Sequence, residues 1–521
     1  MNEQEIRSLW RELPFSTFSD YKKIEEWKKY ALDILANLAN GNTGLVADTG
    51  TGKTIMAFLV HEALGLRTLF VTPTVFLTEQ HADLYRNVTG KEAVTIHGQK
   101  TKRDWIKGQL VIATPHVFMA DFKKGLVNAN SFDLLIVDEL HKAEGEYPYV
   151  PIANKFAHLE KEILCLSASP GSDYDSIQYI EGVYNIKNWV VAEINKPDTK
   201  YHLVKANLSP ELEEAATYFK SEYVQTLIKL KKVFTDSNQE IIFPINENNP
   251  FLTQRQNNLL DKEVNSLSKP AFYEAKLLFS RQYKLAYLFR VLMTENYASF
   301  INQVYKVLVS SETKAAKTIV NNLGFRKIYW KIKKIDSSSH PKEAELLKLM
   351  KELTEEQKSC LVFVSSKRLG TDLSLWFNSM GYESDTLFGK TSKSLKKQLE
   401  VIEKFRQREI KIIFATSVVE EGLSLPEIDV VIHYNQPMTE IARLQRDGRT
   451  GRFSEGSVYF LITDIPYENA LYYATLSKLH SMREIFYKKP EFSEPQKISL
   501  KRKNRKKEIR LSGQLTIDWG V

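Results

Sequence analysis

Cysteine is nearly absent: Cys165 and Cys360 are the only two among 521 residues. Each sits in an apolar run that reads as a buried strand, far from any second ligand, which excludes a disulfide framework and a zinc site. Long hydrophobic runs are missing too. No uninterrupted apolar stretch reaches the roughly 20 residues that a membrane span needs, and the chain opens on the polar Met1-Asn2-Glu3-Gln4-Glu5. A soluble intracellular protein with no membrane partner is expected. The composition of a disordered chain is missing as well: 43% hydrophobic and 11% aromatic residues predict that most of it folds.

What is present is length, a basic excess and two strand-rich zones. A chain this long exceeds one hydrophobic core, and roughly three or four units are expected. Lys and Arg outnumber Asp and Glu by 72 to 64, giving +8. The excess is partly local, as in Lys501-Arg502-Lys503-Asn504-Arg505-Lys506-Lys507, and favours a polyanionic partner. From Leu45 to about Ser169, short β-branched runs alternate with amphipathic stretches, and the rhythm returns between Leu361 and Leu461. This is the pattern of a parallel sheet covered by helices. Between them strand signals fade, and from the N-cap Ser209 and Pro210 onward Leu212, Ala215, Ala216, Phe219, Tyr223 and Leu230 fall on one helical face. The expected fold class is α/β: two parallel-sheet lobes, at 1–200 and 336–487, with an all-helical insert at 201–335. A basic tail at 488–521 completes the expected domains.

Ala47-Asp48-Thr49-Gly50-Thr51-Gly52-Lys53-Thr54 follows a strand signal and precedes a helix signal. Gly50 and Gly52 let backbone N–H groups turn around phosphate, Lys53 reaches the β and γ oxygens, and Thr54 supplies a hydroxyl for Mg2+. The bland alternative, a glycine-rich turn, does not account for the Gly-Lys-Thr ending in this context. Asp138 and Glu139 follow the apolar run Leu134-Leu135-Ile136-Val137, so both acids emerge at the carboxyl edge of a strand. Asp138 is expected to hold Mg2+, and Glu139 to orient and deprotonate the water that attacks the γ-phosphate of ATP. The second zone supplies Gln445-Arg446-Asp447-Gly448-Arg449-Thr450-Gly451-Arg452. Arg449 and Arg452 are the candidates to reach that phosphate from the opposite lobe, because their planar forks match it.

The order of these motifs resembles the superfamily-two DExH helicases. Asp138-Glu139-Leu140-His141-Lys142-Ala143-Glu144-Gly145-Glu146-Tyr147, Leu166-Ser167-Ala168-Ser169-Pro170-Gly171 and Ala415-Thr416-Ser417-Val418-Val419-Glu420-Glu421-Gly422-Leu423 resemble the archaeal Hef helicases, relatives of the Fanconi anaemia M protein and the yeast Mph helicase. The resemblance implies that both lobes are RecA-like and that the chain remodels forked or four-way DNA, with the helical insert gripping the branch. It implies that Gln445 and Gly422 join the ATP site. Ser167, Ala168, Ser169 and His141 would couple that site to nucleic acid. Thr72, Pro73, Thr74, Thr114 and Pro115 in the first lobe, and Ser365, Thr416 and Ser417 in the second, would touch the phosphate backbone, which carries no sequence reading. The implied setting is cytoplasmic, at an archaeal nucleoid.

The chain also departs from that pattern. The family's Arg-x-Tyr-Gln is Lys28-Lys29-Tyr30-Ala31 here, so the glutamine that reads adenine is replaced. Val75 stands where a basic residue is usual, and Ser424 where an acidic one is. No Glu-Arg-Lys-x-x-x-Asp nuclease signature occurs, so the chain is expected not to cut DNA and to rely on a separate structure-specific nuclease. Gln514, Ile517 and Trp519 resemble a sliding-clamp peptide whose aromatic comes one position early. Two other readings stay open: an RNA helicase or duplex-RNA sensor, and a non-catalytic DNA-binding adaptor for a clamp.

Overall fold

The computed structural model describes residues 2–16, 18, 21–194, 197–239, 251–311, 313–335, 339–388, 394–417, 425–426, 428–451 and 455–487. They form two units, one comprising 2–207, 294–296 and 339–487, the other 208–293 and 297–335. Gly422, Arg452, Gln514, Ile517, Trp519 and the basic tail lie outside the described residues.

The first unit holds two parallel sheets. In the first lobe β1 (Thr43–Ala47), β2 (Thr68–Val71), β3 (Val94–Ile96), β4 (Leu110–Ala113), β5 (Leu134–Val137), β6 (Glu162–Ser167) and β7 (Asn188–Ala192) lie in the order β3-β4-β2-β5-β6-β1-β7. The second lobe is built from β8 (Thr199–Ala206), β9 (Cys360–Phe363), β10 (Ser384–Leu387), β11 (Ile412–Ala415), β12 (Val430–His433) and β13 (Gly456–Thr463), ordered β10-β11-β9-β12-β13-β8. The central strands are buried on both faces, which is why they read as continuous apolar runs. Cys165 and Cys360 are buried in β6 and β9, and burial pushes both thiols up.

One expectation changes. Residues 201–206, read as the start of the helical insert, belong to β8, which pairs with all of β13 from Thr199↔Gly456 to Ala206↔Thr463. The chain therefore enters the second sheet before it leaves for the insert. It returns through the Pro341–Glu355 helix to β9. After β13 the Pro466–Tyr487 helix packs its Met482, Ile485 and Phe486 with Val46, Ile177 and Trp189 of the first lobe. Val46 is the neighbour of Ala47 in β1, so the second lobe's last helix rests behind the first lobe's glycine-rich loop.

The second unit is helical. Ser209 caps the Pro210–Asp236 helix, accepting from Leu212 N, and Leu212, Ala215, Ala216, Phe219, Tyr223 and Leu230 are all buried along it. Phe219 sits among Phe289, Phe300 and Phe325. On the Leu323–Lys333 helix the interleaved aromatics and bases divide by face: Phe325, Ile328 and Ile332 go inward, while Trp330 is 54% exposed under Lys333. No helix among the described residues is long and apolar enough to cross a membrane.

Candidate nucleotide and nucleic-acid site

The loop between β1 and the Lys53–Leu64 helix is shaped by two glycines in the left-handed region, Gly50 at φ 81° and Gly52 at φ 99°. The Lys53 ammonium folds over the loop, donating to the carbonyls of Ala47 at 2.9 Å and Asp48 at 3.1 Å. The Thr51 hydroxyl closes onto Asp48 O at 2.7 Å. A support that the sequence did not reveal comes from the Tyr21–Leu38 helix, where the Trp27 indole N–H donates to Thr51 O at 2.7 Å. A Cβ on Gly52 would lie 2.3 Å from that indole nitrogen, so Gly52 is required by backbone and neighbour alike. Ala31, standing where an adenine-reading glutamine is usual, is fully buried on the same helix.

Asp138 and Glu139 leave the end of β5 as expected. Asp138 is 6% exposed. Its Oδ1 accepts from Glu139 N at 3.1 Å, and its carbonyl accepts from the Tyr149 hydroxyl at 2.8 Å. Its Oδ2 is met by His81 Nε2 at 2.9 Å, a partner no motif announced. Glu139 holds φ 52°, a conformation that costs a non-glycine residue on the order of 1–3 kcal/mol and gathers at functional sites. Among the described residues no three His, Cys, Asp or Glu side chains converge as a metal cage. A hydroxyl at Thr54 and one carboxylate at Asp138 nevertheless fit Mg2+, which takes oxygen ligands, keeps several waters and binds through substrate phosphates.

The proposed coupling residues converge on this edge. The Ser167 hydroxyl lies 3.3 Å from His141 Nδ1 and accepts from Ser169 N at 3.0 Å, and Glu139 lies 3.3 Å from the same imidazole nitrogen. Burial pulls His141 down to about 4, assisted by Lys142 and Lys53 and opposed by Asp138. Ala168 is buried between the two serines.

Across the cleft, the Glu440–Asp447 helix carries Gln445 and leads into Arg449, both buried. Asp447 fixes this helix on the second lobe's core, meeting His433 at 2.7 Å, and Arg443 stacks over Phe460 at 4.2 Å. Burial lowers the His433 pKa against the pull of Asp447. Gly448 sits against the first lobe: a Cβ there would lie 2.5 Å from Thr49 Cβ. The glycine-rich loop and the arginine segment thus face each other in one cleft.

The residues expected on the phosphate backbone separate by exposure. Thr72 is fully buried, its hydroxyl 2.9 Å from that of Thr78, so it supports its loop from within rather than facing a ligand. Pro73 and Thr74 are half-buried above it. Thr114 and Pro115 begin the Pro115–Lys123 helix and are buried, as is Thr416. Ser365 and Ser417 are exposed.

Known proteins share this arrangement of lobes and motifs in part. Residues 21–172 match the family described as type III restriction enzyme, res subunit, and 341–454 match the helicase conserved C-terminal domain. A Methanocaldococcus jannaschii protein named as an ATP-dependent RNA helicase is 29% identical over 89% of this chain and 61% of its own length. The Neurospora crassa ATP-dependent DNA helicase mph1 is 24% identical over 84% of this chain and 41% of its own. The chain therefore spans less than two thirds of these relatives. The crystal structure of the Pyrococcus furiosus Hef helicase domain shares the fold, with TM-score 0.62, 23% identity, and coverage of 85% of this chain and 97% of that one.

Proposed function

We propose that the chain, which is similar to the Hef and Mph helicases, is an ATP-driven DNA translocase or helicase that remodels forked or branched DNA during repair. The observation that carries this reading is the close approach of Gly448 to Thr49, which puts the Arg449 segment opposite the Lys53 loop. Nucleotide clamped there ties the lobes together, and hydrolysis releases them. Lys53 and the loop N–H groups orient the β and γ phosphates, Glu139 takes the proton of the attacking water, and Arg449 stabilises charge on the transferred group. Such an arginine contributes about 10³–10⁵ in rate in related chemistry. Mg2+, held by Thr54 and Asp138, neutralises phosphate charge when bound. Arg452 and Gly422 are proposed for the same nucleotide.

Pro73, Thr74, Ser365 and Ser417 hold backbone on the two lobes, with Thr72, Thr114, Pro115 and Thr416 beneath them. Alternate lobe closure moves the strand, and His141 with Ser167–Ser169 relays the state of one site to the other. The name of the Methanocaldococcus relative motivates a second reading, an RNA helicase. ATP turnover in the presence of forks, four-way junctions, single strands or duplex RNA separates the two: strongest stimulation by branched DNA supports the first, and by duplex RNA the second. A sliding clamp docked on Gln514, Ile517 and Trp519, and a separate nuclease, are proposed partners that co-precipitation with the full chain tests.

A further inference from the structure

His81 lies on the Val75–Thr89 helix and is 5% exposed. Its ring packs against Phe70 and Phe58, at centroid distances of 5.3 and 6.5 Å. Nothing apolar explains why a histidine occupies this space. Its Nε2 explains it, sitting 2.9 Å from Oδ2 of Asp138, a carboxylate as buried as the imidazole itself. An ionised carboxylate only accepts, so Nε2 carries the hydrogen.

Asp138 is then fixed on three sides, by His81 at Oδ2, by Glu139 N at Oδ1 and by the Tyr149 hydroxyl at its carbonyl. The Tyr149 contact places the backbone; the imidazole at Oδ2, with Glu139 N at Oδ1, sets the rotation of the carboxylate. His81 is itself held by the packing of its ring on Phe70 and Phe58 and by its helix. Its helix begins at Thr74, whose hydroxyl caps Leu77 N at 3.2 Å, and is pinned by the Thr78 hydroxyl on Thr74 O at 3.0 Å.

We propose that His81 is a positioning residue that orients the Asp138 carboxylate toward Mg2+–nucleotide by donating from Nε2, anchored in the helix beneath the Thr72–Thr74 loop. The proposal rests on the reading of Asp138 as a magnesium holder. A hydrogen bond that orients a metal-bound carboxylate is costly to lose: its removal weakens metal affinity about 10–100-fold in comparable sites. Each carboxylate oxygen retains a lone pair beyond the hydrogen bond it accepts, so His81 and a metal do not compete for the same acceptor capacity.

The test is nucleotide binding, not turnover. A fluorescent ATP analogue is titrated into the full chain with Mg2+ and with EDTA, and the ratio of the two affinities measures how far the metal tightens binding. His81→Phe keeps the aromatic packing and removes the donor; His81→Gln returns an N–H near the Nε2 position. The expected result is that His81→Phe loses about tenfold or more of the magnesium-dependent tightening, with EDTA affinity unchanged, and that His81→Gln recovers most of it. A general loss of fold would instead move the EDTA affinity. Wild-type magnesium dependence in His81→Phe, or equal failure of His81→Phe and His81→Gln, overturns the proposal. Asp138→Asn separates the two levels. If it too keeps the full magnesium effect, the magnesium reading of Asp138 fails and takes the proposal with it; if it loses the effect while His81→Phe does not, only the proposal fails.

Discussion

The Ser365 hydroxyl donates to the Glu295 carboxylate at 2.8 Å. Glu295 is held there by its backbone: its carbonyl accepts from the Tyr434 hydroxyl at 2.7 Å, and Thr294 O beside it accepts from Asn435 at 2.9 Å and Lys342 at 3.2 Å. A negative charge thus occupies the exposed hydroxyl that the proposed function assigns to backbone phosphate. Removing it relieves a repulsion of about 1 kcal/mol in a wet site. Glu295→Gln is expected to tighten DNA binding roughly fivefold at low salt, and less at high salt because the term is screened. Fluorescence anisotropy at two ionic strengths checks this, and equal affinity of variant and wild type would refute it.

Gly448 has φ −69°, which alanine adopts without strain, so only space forbids a side chain there. A Cβ would lie 2.5 Å from Thr49 Cβ and 2.9 Å from its Cγ2. Gly448→Ala is expected to leave the melting temperature and the first lobe's nucleotide affinity near wild type. Its turnover is expected to fall about 10²-fold, the scale of a misplacement of about 1 Å at reacting groups. Loss of nucleotide affinity together with turnover would instead place the damage in the glycine-rich loop.

Lys342 is completely buried and paired with Glu468 at 2.8 Å, while Glu468 also accepts from Thr463 N at 2.5 Å. Lys342→Met strands a carboxylate in the second lobe, a change that typically costs about 3–5 kcal/mol. The double variant Lys342→Met with Glu468→Gln is expected to regain much of that loss in denaturant unfolding. Additive losses would show that the two side chains do not act as a pair.

His61 is buried beside Thr68, 2.8 Å from its hydroxyl, with Glu62, Lys91 and Tyr85 as its charged and titratable neighbours. Burial lowers its pKa to about 4, opposed by Glu62 and aided by Lys91. The unfolded chain, at the ordinary value near 6.5, therefore binds more protons between those limits, and stability falls as pH drops through that window. From pH 7 to pH 5 this one group contributes a loss of about 2 kcal/mol. Unfolding of wild type and His61→Gln at both values measures it, and an equal pH loss in both would assign it elsewhere.

The central strands were legible because burial on both faces leaves them continuous apolar runs, as in Leu134–Val137. The edges of the two sheets, β3, β7, β8 and β10, carry no comparable signal. An edge strand needs no such run: β8 reads Thr-Lys-Tyr-His-Leu-Val-Lys-Ala and passes for a linker. The nucleotide loop and Asp138-Glu139 were legible because local spacing carries their chemistry. Trp27, His81 and Glu295 were not, since each acts through one tertiary contact on a distant residue and no local pattern marks it. Thr72 shows the converse limit, a motif residue whose side chain the fold turns inward.

On the proposed function, hydrolysis in the Lys53–Glu139–Arg449 cleft moves DNA. A forked DNA labelled at its arms for energy transfer reports that movement directly. Wild-type protein with ATP is expected to change the transfer with time, and neither a non-hydrolysable analogue nor Glu139→Gln is expected to do so while still binding the fork. A change that proceeds equally with the analogue or in Glu139→Gln, or none with wild type and ATP on a bound fork, contradicts the account.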